Sequence, residues 1–198
     1  MDKLTRDFYD RDTLVVAREL LGKHLVRVID GVPISLRITE TEAYIGRMDR
    51  ACHAYNYKRT KRTETLFAPP GTAYIYLIYG MYHCLNFVTE AENEPAAVLL
   101  RAGTPAAEAD ALAMSVRRFR CTPDEMTPYQ RKNFLNGPGK LCQALSLTRA
   151  HNGLSLLGDE LYVLDGGERP AEIRTSVRVG IDYAREAANF PWRFYYEP

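Results

Sequence analysis

The spacing of apolar residues near the start of the chain predicts one helix followed by two paired strands. Residues 12–21 carry apolar side chains at helical spacing, with Asp12 suited to cap the first turn and Gly22 to end the last. Residues 23–29 and 34–43 alternate apolar and polar positions, which is the period of a half-buried strand. Asp30-Gly31 between them is a typical two-residue turn. These patterns together predict a helix and a β-hairpin.

The rest of the chain mixes short strands and helices in no regular order. The predicted strands are residues 72–79, 82–89, 98–102, 161–164, 172–179 and 192–196, and the predicted helices are residues 106–119 and 138–147. Gly80 allows the turn of a second hairpin, and Pro138 suits the first position of a helix. Residues 44–65 are polar and aperiodic, so they predict a long loop of the kind that usually carries function. Because strands and helices do not alternate regularly, we expect an α+β domain with a mainly antiparallel sheet.

The composition is that of one globular domain. The chain has 198 residues, of which 46% are hydrophobic and 26% charged, so residues 1–198 can bury a core without a disulfide or metal. No apolar run reaches the ~18 residues that span a membrane, and the first residues lack the apolar core of a signal peptide. We therefore expect a cytoplasmic protein without a membrane partner.

The four cysteines do not have the spacing of a metal site. None forms a Cys-x-x-Cys pair, and no histidine stands at zinc-ligand spacing to them. They are Cys52, Cys84, Cys121 and Cys142. In a chain without a secretion signal we expect reduced, buried thiols.

Tyrosine is the unusual component. The chain has 13 Tyr against 7 Phe, and seven of the tyrosines lie between positions 44 and 82. A buried phenol must find a hydrogen-bond partner, so clustered Tyr suits a surface that stacks on flat ligands better than it suits a plain core.

Local charge departs from the net charge of +1. Residues 50–62 contain five cations and no acid, residues 114–132 are also rich in arginine, and residues 86–110 are acidic. This segregation would allow one basic face to follow phosphates. A solvated surface of mixed charge is the alternative, and charge alone favours it.

Glu40 and Glu42 lie near the end of the predicted strand 34–43. Alternate positions of a strand share a face, and a carboxylate at a strand end beside an irregular loop can act as a general base toward water. A solvent-facing glutamate pair on an edge strand is the commoner alternative. Arg101 ends a wholly apolar run, so it needs a carboxylate partner. Glu42 is the candidate, and Arg101 would keep it ionised.

The second predicted hairpin carries aromatic residues along one face and at its tip. Tyr74 and Tyr76 share a strand face, and Tyr79 and Met81 lie in the turn, where large apolar groups are disfavoured unless they insert into something. A wedge between DNA base pairs is one such use, and packing on a neighbouring element is the alternative. Taken alone, His53 is a surface residue of the basic loop. Asn86, just after Cys84-Leu85, is taken alone a turn or cap residue.

These segments resemble the 3-methyladenine (alkyladenine) DNA glycosylases in order and spacing, from about residue 5 to residue 196. The segments are ETEAY at 40–44 with His53 nine residues later, PGTAYIYLIYGMY at 70–82, CLN at 84–86, VLLRA at 98–102, GPGKLCQAL at 137–145 and RVG at 178–180. The resemblance implies a single α+β domain with a curved, mainly antiparallel sheet, flanking helices and a protruding β-hairpin.

The resemblance also implies an activity. It implies an enzyme that removes alkylated or deaminated purines from double-stranded DNA, with no cofactor, no metal and no lyase step. The lack of a surplus apolar helix favours a monomer, and we expect it in the cytoplasm, associated with the nucleoid. Glu42 corresponds to the general base that activates a water. Arg101 and the main-chain carbonyl near Val179 correspond to groups that help to hold that water.

Further residues correspond to positions that contact DNA in the family. Tyr44, His53 and Tyr76 correspond to the residues that sandwich the flipped base, and Asn86 to the residue that disfavours guanine by clashing with its exocyclic amine. The remaining correspondences are Tyr79 as the wedge that fills the vacated stack, Met81 beside it, and Lys140 in a segment that meets phosphates. No such role is implied for Tyr55, Tyr57, Tyr74 or Tyr82, for which we expect packing.

Two other functions fit parts of the pattern. A non-catalytic module that binds RNA or single strands would use the same tyrosines and basic residues. A carbohydrate hydrolase would use Glu40 and Glu42 as its pair, but two positions on one face of one strand cannot flank a sugar from opposite sides.

Overall fold

A computed structural model describes the whole chain, Met1 to Pro198. The strands are β1 (Asp2–Lys3), β2 (His24–Ile29), β3 (Val32–Ile45), β4 (Ala73–Ile78), β5 (Tyr82–Val88), β6 (Ala96–Pro105), β7 (Leu161–Asp165), β8 (Arg174–Ser176) and β9 (Arg193–Tyr195). The α-helices are α1 (Arg6–Tyr9), α2 (Thr13–Glu19), α3 (Glu108–Phe119), α4 (Pro128–Lys132) and α5 (Pro138–Ala144). The 3₁₀ helices are Tyr55–Tyr57, Glu64–Phe67, Arg149–His151 and Asp182–Asn189.

The nine strands form one antiparallel sheet, which confirms the predicted fold class. The main order is β1-β7-β2-β3-β6-β5-β4, with β9 added to β3 and β8 added to β9. The long strand β3 organises this sheet. Its first half pairs with β2, the segment around Glu42 pairs with β9, and β6 runs along its other edge. Residues from β3, β6 and β9 therefore meet near the carboxyl end of β3.

One main core joins the helices to the sheet. It contains 28 buried residues, including Val16 of α2, Met114 of α3 and Leu141 of α5, packed against Leu36 and Leu100 of the sheet. Two smaller clusters of 7 and 4 buried residues lie under the long loop after β3. The loop is therefore anchored by its own apolar contacts, which fixes the backbone around His53.

The local predictions hold at most turns and caps. The Asp12 carboxylate accepts hydrogen bonds from the amides of Leu14 and Val15 at 2.9 and 3.1 Å. Asp30 and Gly31 both have positive φ, 51° and 77°, as a tight hairpin turn that matches the strand twist requires. The helix expected over 138–147 ends at Ala144.

Two predictions are wrong in detail. Asn86 is neither a turn nor a cap residue, because it lies inside β5 and pairs with Tyr74 of β4 and Leu99 of β6. All four thiols are free, but Cys121 is only half-buried.

None of the helices is both long and apolar enough to cross a bilayer.

Candidate active site

Two irregularities in the pairing of β3 with β6 bring the acidic residues to Arg101. Ile38 pairs with Gly103 and Glu40 with Ala102, which leaves Thr39 as an extra residue on β3. Thr41 then pairs with Leu100, which leaves Arg101 as an extra residue on β6. Bulges of this kind redirect side chains and are common next to active sites.

Arg101 contacts both carboxylates: the predicted pair with Glu42 is present, and Glu40 is the closer partner. Arg101 Nε lies 2.9 Å from Glu40 Oε1 and 3.5 Å from Glu42 Oε1. Arg193 of β9 donates to the same Glu40 oxygen at 2.5 Å. Both carboxylates thus share a face, as predicted, but Glu40 is held by two guanidinium groups and Glu42 is left with a longer contact to one.

Glu42 is fully buried and accepts one hydrogen bond on each oxygen. The Tyr44 hydroxyl donates to Oε2 at 2.7 Å, and the Val179 amide donates to Oε1 at 2.8 Å. The Val179 main chain thus reaches this site through its N–H, while the water-holding role expected of the carbonyl near Val179 stays a prediction. The carboxylate is therefore fixed in orientation from two sides.

Burial raises the pKa of Glu42. The charge of Arg101 and the hydrogen bonds from Tyr44 and Val179 lower this pKa only in part, so desolvation outweighs them. The charge of Arg101 favours the ionised carboxylate, as expected, but the net shift of the pKa is upward. The same shift makes the ionised carboxylate a stronger base, which suits general-base chemistry near neutral pH.

An aromatic pocket adjoins Glu42 through Tyr44. All four residues predicted for a base pocket meet there, and Tyr74 joins them. The polar and aromatic residues that line it are Tyr44, His53, Tyr74, Tyr76 and Asn86. The Asn86 side-chain amide is held at the wall by hydrogen bonds to the carbonyls of Tyr74 and Cys84 at 3.1 and 3.3 Å.

The rings of this pocket are packed closely. The centroids of His53 and Tyr76 lie 4.6 Å apart with their planes at 75°, and those of Tyr74 and Tyr76 lie 5.4 Å apart at 37°. No slot for a flat ligand exists between His53 and Tyr76, which leaves Tyr44 as the opposite face. The open volume is about 20 Å³, room for about one water.

His53 is a neutral ring with a defined tautomer. Arg62 Nη2 lies 3.3 Å from Nε2, and a guanidinium can only donate, so Nε2 accepts. The proton then sits on Nδ1, which donates to the Tyr74 hydroxyl at 3.0 Å. Burial and the charge of Arg62 lower the pKa of His53 to about 4. The pocket therefore presents an uncharged imidazole at neutral pH.

The tip of the β4–β5 hairpin is the most exposed aromatic feature of the site. Tyr79 is 80% exposed and Met81 63%. Tyr79 and Gly80 both have positive φ, 53° and 69°, so the turn holds the Tyr79 backbone in a left-handed conformation that is uncommon outside glycine. A groove runs from this tip past Arg101 and Val179 to Lys140. The Lys140 ammonium donates to the side-chain oxygens of Asn133 and Asn136, both at 2.8 Å.

A family model of methylpurine-DNA glycosylase matches residues 7–198 of this sequence. The chain belongs to this family.

Relatives of nearly the same length agree with the family. A Clostridium perfringens (strain SM101) protein is 51% identical over 196 residues, covering 98% of this chain and 95% of the relative. An Alkaliphilus oremlandii protein is 49% identical over 193 residues, covering 98% and 95%. A Desulfitobacterium hafniense (strain Y51) protein is 48% identical over 197 residues, covering 100% and 96%. All three carry the name "Putative 3-methyladenine DNA glycosylase".

Membership in the family makes the protein a DNA glycosylase of base excision repair, acting on DNA that contains damaged bases. The resemblance derived from the motifs is confirmed. An enzyme is accordingly favoured over a non-catalytic nucleic-acid module and over a carbohydrate hydrolase.

The glycosylase also contains a buried ion pair that was not predicted from the sequence. Arg178 donates to both oxygens of Asp49, at 2.5 and 2.8 Å, and to the carbonyls of Ala43 and Ala187. Its guanidinium lies 4.6 Å from the centroid of the Tyr44 ring. Because Val179 follows Arg178 directly, this pair fixes the backbone that donates to Glu42. Asp49 and Arg178 are 129 residues apart in the sequence. The only feature of the sequence that pointed to this pair was the RVG motif, which begins with Arg178.

Tyr74 is the second residue that sequence reasoning missed. Packing alone was predicted for it, yet its hydroxyl holds the His53 ring and its own ring lines the pocket. The alternation along β4 gave a usable signal, because Tyr74 shares a strand face with Tyr76.

Proposed function

We propose that this glycosylase extrudes a damaged purine nucleotide from duplex DNA and hydrolyses its N-glycosidic bond with a water activated by Glu42. One observation carries the proposal. The buried Glu42 carboxylate accepts hydrogen bonds from Tyr44, which lines the aromatic pocket, and from Val179, which lines the groove beside the exposed hairpin tip. A base in the pocket with its backbone in the groove would bring the glycosidic bond to this junction.

Glu42 acts as the general base in the proposed reaction. The bond between the sugar C1′ and the base nitrogen breaks, and its electron pair leaves with the base. The developing positive charge on the sugar is stabilised by the carboxylate, as in other glycoside hydrolysis. Water adds to C1′ and transfers its proton to Glu42, which leaves an abasic site and a free base. The Glu42 carboxylate is kept in this orientation by Arg101, which lies 3.5 Å from Oε1, and by the Val179 amide.

Tyr79 and the pocket offset the energy of extrusion. Taking a base out of the duplex costs a few kcal/mol of pairing and stacking. In the proposal Tyr79 enters the vacated stack with Met81 beside it, while Tyr44, His53 and Tyr76 contact the extruded base. Stacking of this kind is worth about 1–3 kcal/mol per base. Lys140 in the same groove would contact the phosphates.

The proposed substrates are alkylated or deaminated purines of the 3-methyladenine, 7-methylguanine, hypoxanthine and ethenoadenine class. The electron-rich tyrosine rings favour electron-poor purines, and a neutral His53 does not repel a cationic methylpurine. Asn86 would exclude guanine by contact with its exocyclic amine. The name that the relatives carry agrees with the first of these substrates.

We propose a monofunctional enzyme that acts as a monomer on double-stranded DNA. No lysine contacts Glu42, so no amine is in position to form a Schiff base there. Lys140 is the one lysine that lines the groove beside Arg101. Borohydride reduction during reaction with a lesion duplex should therefore trap no covalent complex. A trapped complex that disappears in Lys140→Ala would overturn the monofunctional proposal.

The test of the central proposal is excision by Glu42→Gln. Duplexes carrying 3-methyladenine or hypoxanthine are incubated with enzyme, and abasic sites are cleaved with alkali. Loss of a general base should slow excision by at least about 100-fold while lesion binding is retained. Glu40→Gln is the matched control, since it removes the neighbouring carboxylate of the same strand face and should slow excision far less. Wild-type rates of 3-methyladenine release by Glu42→Gln would refute the mechanism.

A further inference from the structure

A basic concavity borders β4 next to the aromatic pocket. Its cations are Lys61, Arg62 and Arg149, and no acidic residue lines it. Tyr76 lines both this concavity and the aromatic pocket. Leu77 of its wall stands two residues before Tyr79, about 7 Å along an extended strand. The concavity therefore lies within a few ångströms of both the pocket and the exposed tip.

Two of its cations have no partner in the protein. Lys61 and Arg149 are exposed and make no side-chain hydrogen bond or ion pair, whereas two other arginines of residues 50–62 have acidic partners. Arg50 pairs with Glu186 at 3.0 Å and Arg59 with Glu64 at 2.6 Å. Of the five cations of residues 50–62, Arg50 and Arg59 are thus paired with acids, and Lys61 and Arg62 line the concavity, while Lys58 is exposed outside it.

The walls that carry these cations are held in place. The turn that presents Arg149 is tied to β4, because Asn152 Oδ1 accepts from the Ile75 amide and the Gly153 amide donates to the Ala73 carbonyl, both at 2.8 Å. The turn that presents Lys61 is closed by the Thr63 hydroxyl, which donates to the Lys58 carbonyl at 2.9 Å. The separation of the two basic walls is therefore set by the fold rather than by flexible loops.

We propose that this concavity binds backbone phosphates of the DNA strand that lies against β4, through Lys61 and Arg149. The proposal deepens the proposed function and rests on it. An inserted hairpin needs the duplex to be held along both of its strands, and the groove along the tip already carries the cations Arg101, Arg118 and Lys140 without an acid. Lys61 and Arg149 supply the corresponding contact along β4. Phosphodiester groups are the ligand because an exposed, acid-free pair of cations offers charge but no base-reading geometry.

The salt dependence of duplex binding tests the proposal. Each phosphate contact contributes about −0.9 to the slope of log K against log salt concentration. Lys61→Gln/Arg149→Gln should therefore reduce the magnitude of this slope by about 1.8 on a short undamaged duplex, and should weaken binding at low salt. The measurement involves no excision, so its failure is distinct from failure of the Glu42 mechanism, which the Glu42→Gln assay tests.

A charge-matched control separates a local contact from net charge. Lys3→Gln/Arg11→Gln removes two cations that pair with Asp159 and Glu19 away from β4, and should leave the slope unchanged. An unchanged slope in Lys61→Gln/Arg149→Gln overturns the proposal. So does an equal fall in the control.

Discussion

At the scale of single residues, two neighbouring carboxylates acquire different properties from their surroundings. Glu40 is partly buried and contacts two arginines, whose Nε atoms lie 2.9 and 2.5 Å from one of its oxygens. Glu42 is fully buried, and its raised pKa reflects desolvation that its hydrogen bonds only partly offset. One carboxylate is thereby suited to hold Arg101 and the other to accept a proton.

The raised pKa of Glu42 predicts how excision depends on pH. The base must be ionised, so the single-turnover rate should fall as pH falls, with a midpoint above the ordinary glutamate pKa of about 4.3. 3-Methyladenine is the suitable substrate because it leaves without being protonated. A rate that stays constant down to about pH 4.3 would contradict the assignment of Glu42 as the base.

Glu42 also predicts a stability effect of defined sign. A carboxyl whose pKa is raised on folding favours the native state fully below its unfolded pKa, and this contribution is lost as pH rises through the folded pKa. Glu42→Gln removes the buried charge, so it should be at least as stable as wild type at pH 7, with no advantage in acid. Urea unfolding at the two pH values measures this, and a marked loss of stability at pH 7 would count against the dominance of desolvation.

At the scale of elements, the β4–β5 hairpin combines a rigid stem with an exposed tip. β5 pairs with β4 along its whole length and packs on α5, where Gly139 approaches the Tyr82 side chain so closely that a Cβ would lie 2.9 Å from it. The turn beyond this support exposes Tyr79 and Met81 to solvent. A stem fixed on both sides can insert its tip without unfolding.

Tyr79→Ala should therefore weaken binding without affecting folding. Tyr79 is 80% exposed, so its removal leaves no cavity, while loss of one stacked ring should weaken affinity for a lesion duplex by about 1–3 kcal/mol. Fluorescence anisotropy and thermal unfolding measure the two effects. Val32→Ala, at the exposed end of the β2–β3 hairpin, is the control and should change neither. Unchanged duplex affinity in Tyr79→Ala would exclude the wedge.

At the scale of the whole molecule, the site is assembled from segments far apart in sequence. Glu42 comes from β3, Arg101 from β6 and the Val179 amide from the segment after β8. The buried pair of Asp49 and Arg178 joins the loop after β3 to that last segment. The carboxyl-terminal part of the chain thus completes the surroundings of Glu42.

Asp49→Asn should disrupt this assembly. It leaves the buried Arg178 without its counter-ion, which should lower the free energy of unfolding by about 3–5 kcal/mol. Excision should fall as well, since the Val179 amide loses its support. Urea unfolding and single-turnover excision are the measurements. Glu64→Gln, which breaks the exposed pair with Arg59, should change stability far less, and equal effects of the two variants would show that the buried pair has no special role.

The sequence by itself determined the α+β class, the hairpins and four of the residues that line the pocket, because these depend on local period, turn chemistry and motif order. The tertiary structure decided how Glu42 behaves. Its pKa follows from total burial, its closest contacts come from Tyr44 and Val179, and the bulges at Thr39 and Arg101 set which carboxylate Arg101 holds more closely. Strand register, burial and the pairing of Asp49 with Arg178 depend on contacts between distant segments, and no local pattern encodes them.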